Sequence, residues 1–203
     1  MERESAGSAA AAVVHSLAQR HETLATAESL TGGLLAAAIV DIAGVSAVYR
    51  GGFVVYATEL KAELAGVPAE LLAERGPVDP DVAAALAEGG RRRCGADWGL
   101  ATTGVAGPEP QDGKPVGLVY VAVAGPDGGT VRQLDLDGGR EHVRAAAVLE
   151  ALRLLADRIR AVEATENADN AATATNAAAD TSAAATATGA AWDGAGTAGA
   201  GQR

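Results

Sequence analysis

Large and reactive side chains are scarce in this sequence of 203 residues. Phe, Trp and Tyr together make up 3% of the chain, so Ala, Val and Leu must fill most of its core. Cys94 is the single cysteine, which excludes an internal disulfide. Cys and His residues do not recur at the spacing of metal ligands, and a structural zinc site is therefore not expected.

Long apolar runs and clusters of basic residues are also missing. No run approaches the about 20 apolar residues that a membrane-spanning helix needs, and residues 1–8 lack the basic and apolar parts of a secretory signal. We therefore expect a cytoplasmic protein with no membrane partner. The formal net charge is −10. Because phosphate backbones are bound by clustered Lys and Arg, nucleic acid is not an expected partner.

The composition changes abruptly after Val162. Residues 163–203 are rich in Ala, Thr, Asn and Gly and contain one large apolar side chain, Trp192. One ring cannot offset the conformational entropy of about forty ordered residues. We therefore predict a folded domain over residues 1–162 and a disordered low-complexity tail over residues 163–203. A long Ala-rich helix is the alternative for the tail, although Thr, Asn and Gly lower its helix propensity.

Helical and strand patterns alternate before the tail. Asp79 and Gly95 suit the N-terminal and C-terminal caps of one helix, and the turn at 125–129 predicts a hairpin. Helices are predicted over 9–20, 31–40, 59–65, 68–75, 80–94 and 141–162, and strands over 23–27, 49–56, 98–102, 117–124 and 130–136. This alternation with one hairpin is typical of a three-layer α/β/α sandwich with a mixed sheet.

Ligand sites of α/β sheets collect where strands are followed by helices, and three such junctions carry small polar residues. In the first, Ser29 falls in a turn that continues into Gly32 and Gly33. A nucleophile at this position would have helix N-terminal amides nearby to stabilise an oxyanion. Capping of the helix is the alternative role for Ser29 or for Thr31.

The second junction runs from Ser46 through two glycines to Tyr56 and Lys61. Tyr56 ends the predicted strand and Lys61 lies about one turn into the next helix, so both can face one crevice. The closing glycine of a G-x-S-x-G elbow is missing, which argues against an α/β-hydrolase. The third junction, residues 102–108, lacks the G-K-[ST] of a P-loop. Its backbone amides can contact a carboxamide or a phosphate, and a structural turn is the alternative.

Together these segments resemble one family. The chain contains, in order between about His15 and Ala156, the motifs A-E-S-L-T-G-G, G-x-S, G-G-F-V-V-Y-x-x-x-x-K, T-G-V-A-G-P, K-P-V-G and G-x-R-x-x-x-R. This ordered set is similar to the C-terminal domain of the competence/damage-inducible protein CinA, which also occurs alone as the nicotinamide mononucleotide deamidase PncC. The resemblance implies a CinA C-terminal domain-like fold and a homo-oligomer. It also implies hydrolysis of nicotinamide mononucleotide to nicotinic acid mononucleotide and ammonia, with no metal and no cofactor.

The resemblance further implies roles for individual residues. Ser29 would be the nucleophile and Lys61 the general base, with Ser46 as the second candidate nucleophile. A neutral lysine amine can remove a hydroxyl proton, which requires a pKa below the ordinary value of about 10.4. Tyr56, Ser46 and Thr103 would hold the catalytic pair or the amide in position. The expected substrate-binding residues are Glu28, Thr31, Gly32, Gly33, Gly104, Arg140 and Arg144, with the two arginines placed at the phosphate.

Two segments near the expected site depart from the family pattern. Gly138-Gly139-Arg140 stands where the family has G-D-R, and the loop after Pro108 reads Glu109-Pro110-Gln111-Asp112 where the family commonly has Asp-Gly-Gly. Such changes can alter affinity or ligand choice. Two alternatives therefore stay open beside the deamidase. One is a nucleotide-binding or interaction module linked to competence or the DNA-damage response, with little or no turnover. The other is an amidase acting on a different pyridine or carboxamide.

Overall fold

The computed structural model of the protein describes residues 5–188, with side chains through residue 173. These residues form six helices and five strands. The helices are α1 (Ala6–Arg20), α2 (Leu34–Val40), α3 (Thr58–Glu63), α4 (Ala69–Arg75), α5 (Pro80–Cys94) and α6 (Arg140–Thr188). The strands are β1 (Leu24–Glu28), β2 (Tyr49–Val54), β3 (Trp98–Gly104), β4 (Leu118–Gly125) and β5 (Gly128–Asp135).

The strands form one mixed sheet in the order β2-β1-β3-β4-β5. Strand β1 is parallel to both β2 and β3, whereas β4 is antiparallel to β3 and pairs with β5 in the predicted hairpin. The predicted α/β/α sandwich with a mixed sheet is confirmed. The chain leaves β1 towards β2 on one side, while β3 lies on the other side. A crevice therefore opens beyond the carboxyl ends of the parallel strands.

One face of the sheet is covered by α5 at unusually close range. A Cβ built on Gly99 of β3 would lie 2.0 Å from the carbonyl oxygen of Ala87 in α5, so no larger residue fits there. Ala27 and Ala101 pack in the same core from the sheet side. The caps of α5 are those predicted, because Asp79 accepts the amide of Asp81 and Gly95 adopts a left-handed conformation. Small residues at these positions thus allow α5 to pack close to the sheet.

The opposite face of the sheet is buried as well. Leu100 and Val121 point away from α5 and are fully buried. Helix α1 packs on α2, and α2 packs on the edge formed by β1 and β2. The first half of α6 adds a stripe of buried apolar residues, namely Val143, Ala147, Val148, Ala151, Leu152, Leu155 and Ile159.

The last helix departs from the predicted disorder after Val162. The compact unit that carries the sheet ends at Arg160, but α6 continues as a helix to Thr188. Thr165 and Thr173 donate their hydroxyl protons to the carbonyl oxygens four residues earlier, so these side chains are accommodated within the helix. Residues 163–188 of the predicted tail thus lie within α6. The rest of the predicted tail, residues 189–203, lies outside the described residues, and the division at residue 162 stays a prediction.

Candidate active site

A cleft of about 120 Å³ lies at the carboxyl ends of the three parallel strands. Its walls are formed by parts of the turn after β1, the segment from the end of β2 into α3, the connection between α4 and α5, the loop after β3, and the start of α6. A volume of this size is below the roughly 300 Å³ at which most ligand pockets begin. It suits a single functional group such as a carboxamide, with the rest of a ligand extending through the mouth.

Lys61 is the most unusual side chain of the cleft. It lies on α3, is 1% exposed and makes no ion pair with any described residue. Its Nζ donates to the carbonyl oxygen of Val55 at 2.8 Å and to that of Tyr56 at 3.4 Å. Burial lowers the pKa of Lys61 to about 8, and the negative charge of Glu59 opposes that change. At pH 7 about a tenth of the molecules therefore hold a neutral amine at Lys61.

Ser29 lies in the same cleft, immediately after β1. The side chain is 8% exposed, and its backbone amide donates to the carbonyl oxygen of Thr102 on the neighbouring strand at 3.0 Å. Its Oγ has no hydrogen-bond partner among residues 5–173, Lys61 included. Ser29 and the buried Lys61 thus line one small cavity. The missing hydrogen bond between them does not argue against a catalytic pair, because such bonds are often long before a substrate binds.

Glu28 does not face this cavity, contrary to its expected place among the substrate-binding residues. Its carboxylate is fully buried and accepts the amides of Gly33, Leu35 and Ala36 at 2.8–3.0 Å. These are amides of the first turn of α2, which a helix leaves without internal partners. Glu28 therefore supplies the anion at this helix N-terminus.

Tyr56 and Arg140 form a bridge across the mouth of the cleft. The guanidinium of Arg140 donates to Oη of Tyr56 and to the carbonyl oxygen of Gly107, each at 2.8 Å. Tyr56 is 57% exposed, and both residues line the cavity together with Gly104. A Cβ on Gly104 would lie 2.7 Å from the carbonyl oxygen of Leu118, which explains the glycine. Arg140 is thus positioned at the opening, where an anionic part of a ligand can reach it.

Arg144 and its neighbours hold the serine turn instead of lining the cleft. Arg144 donates to the carbonyl oxygens of Leu30 and Thr31 at 2.9 and 2.7 Å, so its expected contact with a phosphate is not supported. Thr31 is buried, and its hydroxyl bonds that of Thr102. Gly32 and Gly33 take left-handed φ values of 58° and 96°. The amide of Gly32 donates to the backbone carbonyl oxygen of Ser29, and that of Gly33 donates to the carboxylate of Glu28, so neither amide is free for a substrate.

Ser46 lies at the other end of the sheet. It is exposed in a short 3₁₀ helix, Val45–Ala47, just before β2 begins. The cleft lies beyond the opposite end of that six-residue strand, which is about 20 Å long. Ser46 therefore cannot reach Lys61 of the same chain, and the structure removes it as a nucleophile in this cleft.

Thr103 is also kept out of the cavity. Its hydroxyl is fully buried and donates to the carbonyl oxygen of Pro77 at 2.6 Å. Pro77 itself lines the cleft, together with Val78, in the connection between α4 and α5. Thr103 consequently fixes a wall of the site and does not contact a ligand directly.

Several lining residues were missed from the sequence. Thr58 and Leu30 lie beside predicted residues, and Glu109 and Gln111 belong to the loop after Pro108 whose departure from the family pattern was the available signal. Pro77 had no signal, because only the tertiary fold brings the α4–α5 connection to the carboxyl end of β3.

Two further properties bear on the class of protein. Within residues 5–173, no group of three or more His, Cys, Asp or Glu side chains is arranged to hold a metal ion. No described helix combines the length and the apolar character needed to cross a membrane.

The fold and the cleft define a three-layer α/β protein with a serine and a buried lysine at the carboxyl ends of its parallel strands. The family model of the CinA C-terminal domain matches residues 6–159, and the chain belongs to this family. A CinA-like protein of Frankia casuarinae is 55% identical over 139 residues, which cover 68% of this chain and 32% of that protein. A putative competence-damage inducible protein of Desulforamulus reducens is 47% identical over 132 residues, covering 65% and 32%. The chain thus spans about a third of the length of the curated relatives it matches.

Solved structures show the same fold. A CinA superfamily protein from Klebsiella pneumoniae superposes with a TM-score of 0.75 at 33% identity, covering 77% of this chain and 99% of that one. A CinA superfamily protein from Escherichia coli gives 0.73 at 32% identity, covering 77% and 94%. These names describe a family tied to competence and damage responses and specify no reaction.

Proposed function

We propose that the protein is an amidohydrolase that converts nicotinamide mononucleotide to nicotinic acid mononucleotide and ammonia, with Ser29 as nucleophile and Lys61 as general base. The observation that carries the proposal is a buried lysine with a lowered pKa in the same cavity as a serine hydroxyl that has no partner among residues 5–173. Perturbed lysines of this kind concentrate at functional sites. The family resemblance supplies the substrate.

The hydrogen bonds of Lys61 suit a general base. A neutral amine has two N–H groups and one lone pair, and the carbonyl oxygens of Val55 and Tyr56 accept two N–H groups. The lone pair is then left to accept a proton from the serine hydroxyl. With a pKa of about 8, Lys61 is neutral in roughly a quarter of the protein molecules at pH 7.5.

The reaction follows from these two groups. As Oγ of Ser29 attacks the carboxamide carbon, its proton moves to Nζ of Lys61, and the carbonyl oxygen becomes an oxyanion. The resulting ammonium then protonates the amide nitrogen, the C–N bond breaks, and ammonia leaves an acyl ester on Ser29. Water next attacks the ester while Lys61 accepts its proton and returns it to Oγ, which releases the carboxylate.

The oxyanion requires a backbone donor that is not already bound within the protein. The amides of Gly32 and Gly33 are occupied, whereas Leu30 lines the cleft and its amide has no acceptor among the described residues. We assign the oxyanion to this amide, because preorganised donors of this type stabilise developing charge. Arg140 at the mouth would contact the phosphate of the nucleotide.

The test is ammonia release from nicotinamide mononucleotide by the purified protein without added metal. We expect turnover that falls by several orders of magnitude in Ser29→Ala and in Lys61→Ala. Ser46→Ala is the matched control, since it removes a serine hydroxyl at the far end of the sheet, and it should keep full activity. A folded wild-type protein that binds the nucleotide without releasing ammonia would contradict the proposal and favour a binding or interaction module.

A further inference from the structure

Glu109 is a charged residue of the cleft that the proposed reaction does not use. Among the described residues that line the cavity it supplies the only carboxylate, and the cationic side chains there are Lys61 and Arg140. Glu109 is exposed and makes no hydrogen bond or ion pair with any residue in the range 5–173. Two guanidinium nitrogens of Arg140 are already bound to Tyr56 and Gly107. The carboxylate is thus available to a ligand.

The charges of the cleft match those of the proposed substrate. A nicotinamide nucleotide carries a permanent positive charge on its pyridinium ring, next to the carboxamide, and negative charge on its phosphate. The carboxylate of Glu109 has no partner among residues 5–173 and can attract a cationic ring, while Arg140 at the mouth suits the phosphate.

We infer that Glu109 is a specificity-determining residue, which selects carboxamide substrates with a cationic ring over neutral rings of the same shape. The inference rests on the proposed function and extends it to a substrate class. A carboxylate at the edge of a solvated cleft interacts weakly with a nearby cation, so we expect discrimination of about fivefold. Because the interaction is partly exposed, added salt should weaken it.

The experiment measures binding separately from turnover. In a Ser29→Ala background, calorimetry gives dissociation constants for nicotinamide mononucleotide and for benzamide riboside monophosphate, a neutral analogue with the same carboxamide and phosphate. Adding Glu109→Gln should lower the preference for the cationic ligand about fivefold. Asp112→Asn is the matched control, because it removes one negative charge from the same loop at a residue outside the cavity lining. It should leave the preference unchanged.

The outcomes separate the inference from the proposed function. An equal preference with and without Glu109, in a protein whose intact form releases ammonia, would overturn the inference alone. A preference that depends on Glu109, in a protein whose intact form releases no ammonia, would support the inference and overturn the deamidase. Failure of both nucleotides to bind would overturn both.

Discussion

Lys61 makes the stability of the protein depend on pH in a defined direction. Burial lowers its pKa from 10.5 to about 8, so below pH 8 the native state holds a buried charge that the unfolded chain exposes to water. This pKa difference corresponds to roughly 3 kcal/mol of destabilisation. Between pH 8 and 10.5 the unfolded chain binds more protons than the native state, and the free energy of unfolding therefore rises with pH. Above 10.5 both states are neutral and the penalty is gone.

Lys61→Met isolates this effect, since it keeps most of the length of the side chain and removes the titrating amine. The carbonyl oxygens of Val55 and Tyr56 lose a donor, but that loss does not change with pH. The free energy of unfolding of the variant minus that of the wild type should therefore fall by roughly 3 kcal/mol between pH 7 and 10.5. Urea unfolding at intervals across this range, followed by circular dichroism, measures the difference.

The chain supplies its own control. Lys114 is the other lysine of the sequence and lies partly exposed in the loop before β4, so the difference for Lys114→Met should stay constant over the same pH range. A difference for Lys61→Met that is equally constant would refute the assignment of Lys61 as a buried amine with a lowered pKa. The role of general base would then fall with it.

Three other measurements follow from the described contacts. The rate of ammonia release at low substrate concentration should rise about tenfold per pH unit below pH 8 and level off above it, because only the neutral base accepts a proton; a flat profile from pH 6 to 9 would argue against a lysine base. Glu28→Ala should lower the free energy of unfolding by about 3 kcal/mol in urea titrations, since three amides lose their acceptor, whereas the exposed Glu63→Ala should change it by less than about 0.5 kcal/mol. Gly99→Ala should destabilise by about 3 kcal/mol or more, because the new Cβ meets the carbonyl oxygen of Ala87; Gly139→Ala, at a position with open space around it, is its control, and equal melting temperatures for the two variants would contradict the packing argument.

Local signals in the sequence were sufficient for most of the fold. Asp79 and Gly95 mark the ends of α5 because a side-chain acceptor and a left-handed glycine act within one turn of the helix. The β4–β5 hairpin is equally local, since its turn residues adjoin both strands. These elements depend on neighbours in the chain, which the sequence displays directly.

The site required information that no local pattern contains. Ser29 and Ser46 both stand in glycine-bearing turns, one after a predicted strand and the other before one. Only the parallel pairing of β1 with β2 shows that the two serines therefore lie at opposite ends of the sheet. The family resemblance placed Glu28 among the ligand contacts, but side chains alternate across a strand and this one turns to α2. Arg144 matched the family motif, whereas its carbonyl partners come from a turn more than a hundred positions away.

The tail shows a different limit of composition. Residues 163–188 lack the branched aliphatic side chains needed for a core, which favours disorder, yet their many alanines satisfy the backbone by helical hydrogen bonds alone. The same residues thus favour both disorder and helix formation, and residue counts alone do not decide between the two.

The carboxylate of Glu28 has a consequence for how a ligand would be received. The side chain of Glu28 ties the residue before Ser29 to the first turn of α2. The conformational entropy of this segment is therefore lost when the chain folds and not when a substrate binds. The amides of Gly33, Leu35 and Ala36 should therefore exchange with solvent slowly even in the empty protein. Ligand binding would slow exchange mainly in the loop that carries Glu109, on the other side of the cleft.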